Sequence, residues 1–451
     1  MSVDKPREIA LKILYDINEN GAYSSIAINK GLEAYELKGV DRAFITELVY
    51  GTLKWRLSID WIIESFSSIR LKKISPWIIN ILRLGIYQLM YTSRVPESAA
   101  CNESVRLSKK YGHAAAGGYV NAVMRSVVRN REGIKYPNPL NDLQKHLSIK
   151  YSHPEWMVRE WLCEFGEDFT KELMEANNGI PDFTVRVNRL KASMEQLSES
   201  LKSEGLETSP GRYAVDALVI KLPSSIARLE AFRKGWFQVQ DESSMLASIV
   251  LDPKPGELVM DICSAPGGKA LHIAALMEGR GEIIARDIHM HKLELIRQSA
   301  QRLGINIITP EMYDACVLDH NYIDRADRVL VDAPCTGLGI IRRKPDIKWS
   351  RSIEDRDEII RLQKKILNIG ARYVKRGGCL VYSTCTIGHR ENEDVVMGFI
   401  SENPEFQLED MTPFLPGPLK RPQAKKGYMQ LFPNTDGIDG FFISRLVRKP
   451  I

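Results

Sequence analysis

The second half of the chain alternates short apolar runs with amphipathic segments, and this alternation limits the possible folds more than any other feature. Strand-like runs occupy 258–262, 282–287, 305–308, 328–332 and 379–383. Segments with helical periodicity lie between them, for example 292–303 and 358–374. Such alternation is typical of a parallel sheet with helices on both faces. We therefore predict an α/β domain over 236–451.

The first 130 residues show helical periodicity without a competing strand pattern. Apolar residues such as Ile9, Ile13 and Ile17 recur at helical spacing, and 79–89 is apolar on nearly all sides, as a central helix would be. We predict an all-α domain over 1–138. Prolines and asparagines around 137–141 then predict a linker within 131–150.

A small module is predicted between these two regions. An amphipathic helix is expected at 156–165, followed by strand-like runs at 184–187 and 217–222 with a helix at 194–203 between them. This order predicts an α+β module over 145–235. The chain is thus expected to have three domains.

Positive charge is concentrated near the N-terminus. Residues 1–140 carry 20 Lys and Arg against 13 Asp and Glu, and residues 65–135 carry 12 against 3. The basic residues include Arg70, Lys72, Lys73, Arg83, Arg106, Lys109, Lys110, Arg125, Arg129 and Arg131. A cluster of this sign is expected of a surface that binds a phosphate backbone, and an ordinary solvated basic face remains the alternative.

The seven cysteines are scattered, and no two form a Cys-x-x-Cys pair. Neither a disulfide framework nor a zinc site is indicated, so we expect free thiols, no metal and a reducing cytoplasm. No signal peptide is apparent, and 77–91 is too short and too interrupted for a membrane span. We expect a cytoplasmic monomer that does not contact membranes.

A glycine loop follows the first predicted strand. Its residues are Cys263, Ser264, Ala265, Pro266, Gly267, Gly268 and Lys269, directly after Asp261 and Ile262. Glycines at a strand-to-helix turn let the backbone approach a ligand, and Asp287, about twenty residues on, has the position of a ribose-binding carboxylate. The spacing does not match a dinucleotide loop, which favours a ligand without a pyrophosphate such as S-adenosylmethionine. A tight structural turn remains the alternative.

Two cysteines occupy the ends of the fourth and fifth predicted strands. Asp332-Ala333-Pro334-Cys335-Thr336 closes the fourth, and Ser383-Thr384-Cys385-Thr386 closes the fifth. If these strands are neighbours, both thiols face one cleft at the carboxyl edge of the sheet. A single cysteine at a strand end is more often structural, which is how the residues alone lead us to interpret Cys263, Cys316 and Cys379, but the pair indicates a catalytic role.

Methylation of cytosine at carbon 5 needs such a thiol. A thiolate that adds to carbon 6 makes carbon 5 nucleophilic, and a base then removes the carbon 5 proton before the thiol leaves. Asp332 is placed to hydrogen-bond the cytosine edge.

These residues resemble the RNA cytosine-5 methyltransferases of the Nol/Nop/Sun type. The resemblance covers Gln240-Asp241-Glu242-Ser243-Ser244, the glycine loop, both cysteine motifs and Asp439-Gly440-Phe441-Phe442. It implies a class I methyltransferase domain of Rossmann-like fold in which Cys385 attacks carbon 6 and Cys335 assists product release. It also implies that residues 263–269, Asp287, Asp314 and Asp332 hold S-adenosylmethionine or frame the base.

The N-terminal region is similar to the helical RNA-binding fold of the antitermination factor NusB. The matching segments include Phe44-Ile45-Thr46-Glu47-Leu48-Val49-Tyr50-Gly51 and Leu82-Arg83-Leu84-Gly85-Ile86-Tyr87-Gln88-Leu89. Fused to this catalytic half, the domain implies a bacterial enzyme that acts on 16S rRNA at cytosine 967. Two positions depart from the expected pattern, Ala270 after the loop and His289 after Asp287. Neither removes a proposed catalytic group.

The flanking RNA contacts are less defined. Arg342, Arg343, Lys344 and Lys348 follow the fourth strand beside Trp349, which suits phosphate contact and base stacking. A solvated basic loop explains them equally well.

Three alternatives follow from the same residues. The same chemistry on transfer RNA or on another ribosomal cytosine fits the catalytic half equally well. A non-catalytic RNA-binding assembly factor is disfavoured by the complete set of cysteines, Asp332 and glycine loop. A dehydrogenase would need the dinucleotide loop that this chain lacks.

Overall fold

The computed structural model describes residues 3–113, 115–221 and 226–450. The helices are α1 (Lys5–Asn20), α2 (Ser24–Glu33), α3 (Gly39–Lys54), α4 (Arg56–Phe66), α5 (Pro76–Tyr91), α6 (Glu97–Tyr111), α7 (Ala116–Arg129), α8 (Leu143–Tyr151), α9 (Glu155–Phe165), α10 (Glu167–Asn178), α11 (Met194–Ser203), α12 (Glu230–Arg233), α13 (Glu242–Leu251), α14 (Gly268–Leu276), α15 (Met290–Leu303), α16 (Ile347–Ser350), α17 (Ile353–Tyr373), α18 (Glu393–Glu402), α19 (Pro422–Lys425) and α20 (Pro433–Asp436). The strands are β1 (Phe183–Val187), β2 (Thr208–Pro210), β3 (Ala217–Ile220), β4 (Phe237–Val239), β5 (Leu258–Asp261), β6 (Glu282–Asp287), β7 (Ile308–Met312), β8 (Ala326–Asp332), β9 (Val374–Thr384), β10 (Phe406–Leu408), β11 (Tyr428–Leu431) and β12 (Phe441–Arg448).

The chain divides into two compact units. One comprises Met1–Gly179 with Ile341–Ser350, and the other comprises Ile180–Ile340 with Arg351–Ile451. The segment Ile341–Ser350 thus interrupts the second unit in sequence but folds as part of the first. Within the described ranges, no helix has the length and apolar character that crossing a membrane requires.

The first unit, as far as it is described, is helical, which confirms the predicted all-α N-terminal fold. Its central helix is α5, in which residues 78–89 are all buried. Arg83 on this helix donates from Nε and Nη2 to the two carboxylate oxygens of Asp60, at 2.7 and 2.8 Å. The grouping of Arg83 with phosphate-binding cations is therefore wrong, since its charge is paired inside the unit.

The predicted linker over 131–150 is wrong in its last part, where α8 begins. The helix starts after Asp142, whose side chain accepts a hydrogen bond of 2.9 Å from the Lys145 backbone N–H. A side-chain cap of this kind satisfies one of the unpaired N–H groups of the first turn. The prolines and asparagines around 137–141 therefore form a turn directly before α8, and the linker is shorter than predicted.

The second unit contains two sheets. The smaller is antiparallel with strand order β2-β3-β1-β4, as expected of the predicted α+β module. The larger has the order β10-β12-β9-β8-β5-β6-β7, and β11 pairs with β12 outside this path. The five strands from β9 to β7 are parallel, and β12 runs antiparallel to β9. This mixed sheet confirms the predicted Rossmann-like fold.

One predicted strand is displaced. The run 305–308 was expected to be a strand, but β7 begins only at Ile308. Gly304 adopts a left-handed conformation after α15, and the Ile305 N–H donates to the Ala300 carbonyl oxygen at 2.9 Å. Ile305 therefore belongs to the helix cap and to the apolar core beneath it, which explains its hydrophobic character without a strand.

Candidate active site

The two motif cysteines lie side by side at the carboxyl edge of the parallel sheet. The strands that precede them, β8 and β9, are direct parallel neighbours, with Asp332 paired to Ser383. The Sγ atoms of Cys335 and Cys385 are 3.3 Å apart. The structure thus brings together two thiols that are 50 residues apart in sequence.

This contact determines the protonation of the pair. The hydrogen bond with Cys385 raises the pKa of the Cys335 thiol well above its ordinary value, and burial and the nearby carboxylates of Glu391 and Asp332 raise it further. Cys335 therefore keeps its proton at neutral pH. A protonated Cys335 can donate a hydrogen bond to the Cys385 sulfur.

The glycine loop connects β5 to α14, and β5 is the neighbour of β8 in the sheet. Gly267 has a φ of +97°, and a Cβ there would lie 2.9 Å from the Ile296 side chain. At Gly268 a Cβ would meet nothing nearer than Gln240, at 3.8 Å. The backbone turns tightly at the first glycine and is accessible at the second, as required where a ligand approaches the main chain.

Asp332 is held in place by two neighbours. Lys269 Nζ, at the start of α14, donates to its Oδ2 at 2.6 Å, and the Ser383 hydroxyl donates to its Oδ1 at 2.8 Å. Lys269 also lies over the Phe441 ring, 5.0 Å from its centroid. The carboxylate at the end of β8 is thereby connected to the glycine loop on one side and to β9 on the other.

Asp261, at the end of β5, is a titratable group whose environment the sequence did not reveal. Its side chain is completely buried, and burial raises its pKa to about 7, with the charge of Asp332 adding to the rise. Nothing in the residue types around Asp261 indicates this shift, because it depends on how the sheet covers the strand end.

The remaining carboxylates predicted to bind a cofactor lie at the ends of the next two strands. Asp287 closes β6 and accepts a hydrogen bond of 2.9 Å from the His289 N–H. Asp314 follows β7, is exposed, and accepts one of 2.8 Å from the Cys316 N–H. Cys263 follows β5, the strand that lies between β6 and β8 in the sheet. Burial raises the pKa of its thiol. These groups lie along one edge of the sheet in the strand order β7, β6, β5, β8.

Burial also keeps the Cys379 thiol protonated. Cys379 lies inside β9, and burial raises the pKa of its thiol to about 11. No disulfide forms among the seven cysteines, all of which fall within the described part of the chain. The described residues also contain no group of three or more His, Cys, Asp or Glu side chains that could hold a metal ion.

Two residues of the basic segment after Cys335, Lys348 and Trp349, make contacts inside the first unit. Lys348 is buried in the first unit, where its Nζ donates to the carbonyl oxygens of Lys54 and Ser152 and to Asn178 Oδ1, at 3.2, 3.0 and 2.8 Å. Trp349 donates from its indole N–H to the Leu53 carbonyl oxygen at 2.8 Å. The predicted RNA contact is wrong for these two residues, because both are committed to contacts within the helical unit.

Sequence reasoning missed several residues that hold the cysteine loops. Gly339 donates its N–H to the Cys385 carbonyl oxygen at 3.1 Å, and a Cβ on it would lie 2.0 Å from the Gly440 oxygen. The Asp439-Gly440-Phe441-Phe442 motif is therefore a close backbone packing site beside Cys385. Glu391 and Asn392 are buried behind both loops. The only sequence signal for these two was their position a few residues after Cys385.

Three family models match successive parts of the chain. A model described as 16S rRNA methyltransferase RsmB/F matches residues 248–447. The NusB family matches residues 4–129, and a ferredoxin-like domain described as RsmF/B-like matches residues 153–227.

Relatives match over almost the whole chain. A Bacillus subtilis protein named "Probable ribosomal RNA small subunit methyltransferase B" is 39% identical, with 98% of each chain covered. A Pectobacterium carotovorum protein named "Ribosomal RNA small subunit methyltransferase B" is 32% identical over the same shares.

Solved structures agree with this result. The crystal structure of PH0851 has a TM-score of 0.83 and 30% identity, covering 99% of this chain and all of that one. A structure of NSun6 from Pyrococcus horikoshii with SFG, an S-adenosylmethionine analogue, has a TM-score of 0.58 and 26% identity, covering 64% and 97%.

Proposed function

The chain belongs to the 16S rRNA methyltransferase RsmB/F family, and we propose that it methylates carbon 5 of a single cytosine, position 967, in 16S rRNA. The methyl donor is S-adenosylmethionine, and the reaction proceeds through a covalent bond between Cys385 and carbon 6. The observation that carries this proposal is the 3.3 Å approach of the Cys335 and Cys385 sulfurs beside the glycine loop.

The cofactor position is supported by the accessible backbone of the loop. Gly268 leaves space for a ligand, and the carboxylates of Asp287 and Asp314 lie at the next two strand ends, where ribose and adenine would be bound. Residues 263–269 and Asp332 are the other residues that we assign to cofactor binding. When bound, S-adenosylmethionine supplies an electrophilic methyl group. The family relative NSun6, whose structure contains an analogue of that cofactor, supports the assignment.

Cys385 acts as the nucleophile. Its thiolate adds to carbon 6 of the cytosine, and the electron pair of the ring double bond moves to carbon 5, which then accepts the methyl group. Asp332, held by Lys269 and Ser383, accepts a hydrogen bond from the amino group beside N3 of the base and so orients the ring for attack.

Cys335 serves the second half of the reaction. After methyl transfer, a base takes the proton from carbon 5, and the electron pair of that carbon–hydrogen bond re-forms the double bond between carbons 5 and 6. The bond between carbon 6 and sulfur breaks, and its electron pair leaves with the Cys385 sulfur. Cys335 assists this release because its thiol lies in hydrogen-bond contact with the leaving sulfur. The raised pKa of Cys335 keeps a proton available at that position.

The substrate assignment rests on the N-terminal part of the chain. The NusB family match over residues 4–129 and the names of the full-length relatives support ribosomal RNA. We assign RNA binding to a helical domain over 1–138 and a small α+β module over 145–235, with the methyltransferase domain over 236–451. Exposed cations of the first unit, including Arg70, Lys72 and Arg129, would contact phosphates.

The first test is methylation of unmodified 16S rRNA with labelled S-adenosylmethionine, followed by bisulfite sequencing. One protected cytosine at position 967 is the expected result. Label in transfer RNA or in another ribosomal position would keep the chemistry and overturn the substrate. Failure to bind the cofactor in calorimetry would favour a non-catalytic assembly factor.

A further inference from the structure

A buried carboxylate lies behind Cys335. Glu391 is 2% exposed, and its Oε2 accepts hydrogen bonds from the backbone N–H of Thr336, at 2.9 Å, and from Gln363 Nε2, at 3.1 Å. Its Oε1 accepts from the Thr336 hydroxyl. Gln363 Nε2 also donates to the Pro334 carbonyl oxygen at 3.0 Å. The residues on both sides of Cys335 are therefore fixed through Glu391 and its neighbour Gln363.

The next residue holds the other cysteine in the same way. The Thr384 hydroxyl donates to Asn392 Oδ1 at 2.6 Å, and Asn392 Nδ2 donates to the Thr386 carbonyl oxygen at 3.3 Å. Asn392 Nδ2 is within 2.7 Å of Gln430 Oε1 as well. Thr384 and Thr386 flank Cys385, so one amide side chain binds the hydroxyl of the residue before that cysteine and the backbone of the residue after it.

The loop that carries Cys335 and the loop that carries Cys385 are also in direct contact. The hydroxyl oxygens of Thr336 and Thr386, the residues that follow the two cysteines, are 2.8 Å apart. The consecutive pair Glu391 and Asn392, which we term the clamp, thus contacts both cysteine loops and ties one to the other. The Tyr382 hydroxyl donates to the Glu391 carbonyl oxygen at 2.7 Å and fixes the backbone of the clamp to β9.

A carboxylate in this position is costly unless several donors compensate for its lost hydration. Glu391 meets this condition through the backbone N–H and hydroxyl of Thr336, through Gln363, and through a longer bond of 3.4 Å from the Thr386 hydroxyl. A residue needed only to fill the core would be apolar. The polar clamp instead fixes distances between backbone segments, because hydrogen bonds restrict geometry more narrowly than apolar packing does.

We propose that Glu391 and Asn392 are positioning residues that set the separation of the two thiols, so that Cys335 can act on the adduct that Cys385 forms. Glu391 governs the release step through the Cys335 loop. Asn392 governs adduct formation through the Cys385 loop. The division of roles rests on the proposed function, whereas the effect on thiol separation does not.

The first experiment measures thiol separation without RNA or cofactor. Diamide takes two electrons and two protons from the two thiols, which join as a disulfide, and becomes a hydrazine. Cross-linking of Cys335 to Cys385 is followed by peptide mapping in wild-type protein and in Glu391→Gln. The amide leaves only one acceptor oxygen, so we expect the cross-linking rate to fall about tenfold. An unchanged or faster rate would overturn the clamp.

Two further variants separate this effect from a loss of folding. Thr336→Val keeps the backbone N–H bond to Glu391 but removes the hydroxyl contacts with Glu391 and Thr386, and it should also slow the cross-link. Glu257→Gln is the matched control, since Glu257 is a carboxylate of the same unit that binds Arg328 at the opposite end of β5. It should cross-link at the wild-type rate, and slowing there would point to general destabilisation.

The second experiment follows the covalent protein–RNA adduct in single turnover on denaturing gels. In Glu391→Gln, release should slow about tenfold while adduct formation changes by less than about twofold. Asn392→Ala should slow formation instead. A parallel loss of both steps in Glu391→Gln would overturn the division of roles. If wild-type protein and Cys335→Ala both form no adduct, the proposed function fails, and the diamide result still decides whether the clamp exists.

Discussion

Replacing Asp261 by asparagine should stabilise the second unit, and increasingly so as the pH rises. The carboxyl of Asp261 is completely buried, and burial raises its pKa from an ordinary 3.8 to about 7. Between these values the folded protein binds a proton that the unfolded chain releases. The free energy of unfolding therefore falls by about 1.4 kcal/mol for each pH unit between these two pKa values.

The magnitude follows from the two pKa values. Well below pH 3.8 both states are protonated and the group contributes no penalty. Well above pH 7 the penalty is complete, at about 4 kcal/mol. At pH 5 it is less than half of that, so the advantage of Asp261→Asn over wild type should grow by about 3 kcal/mol between pH 5 and pH 9.

The assay is urea unfolding at pH 5, 7 and 9, read by hydrogen exchange of peptides that contain β5. Asp327→Asn is an informative contrast, because Asp327, at the start of β8, accepts a hydrogen bond of 2.8 Å from the N–H of Leu258, the first residue of β5. Its pKa is lowered, chiefly by Lys375 and by that backbone bond against the opposing effect of burial, so its replacement should cost stability at neutral pH and not in acid. Unfolding free energies of wild type and Asp261→Asn that stay parallel over this range would refute the reasoning.

Three other changes test the site and the helical unit. Cys385→Ala should abolish methyl transfer while leaving the dissociation constant for S-adenosylmethionine unchanged, and residual turnover near the wild-type rate would remove the cysteine from the nucleophile role. Asp287→Ala should weaken cofactor binding by about tenfold in calorimetry, whereas an unaltered constant would exclude it from the site. Lys348→Met should destabilise the first unit by about 3 kcal/mol in urea unfolding, because two buried carbonyl oxygens and the half-buried Asn178 side chain lose their donor. Lys344→Met, at an exposed position of the same segment, should change it little, and equal losses would contradict the burial argument.

The sequence by itself determined the fold class of each region and the order of its main elements, although the strands β2, β4 and β10 to β12 were not predicted. Periodicity identifies an element from neighbouring residues alone, which is why the all-α N-terminal region, the α+β module and the alternating half could be predicted. The glycine loop and the two cysteine motifs could also be recognised from short stretches of sequence, because each lies within a few residues of a strand end. The one displaced strand, at β7, arose because the apolar Ile305 serves a helix cap instead of the sheet.

Only the tertiary structure decided which distant groups meet. The positive charge of Arg83 and Lys348 was visible in the sequence, but the carboxylate of Asp60 and the carbonyl oxygens around Lys348 come from other helices. The clamp of Glu391 and Asn392 likewise depends on the parallel pairing of β8 with β9, which places Thr336 next to Thr386. Hydrogen-bond partners separated by tens of residues leave no periodic trace in the chain, because what selects them is sheet order and packing.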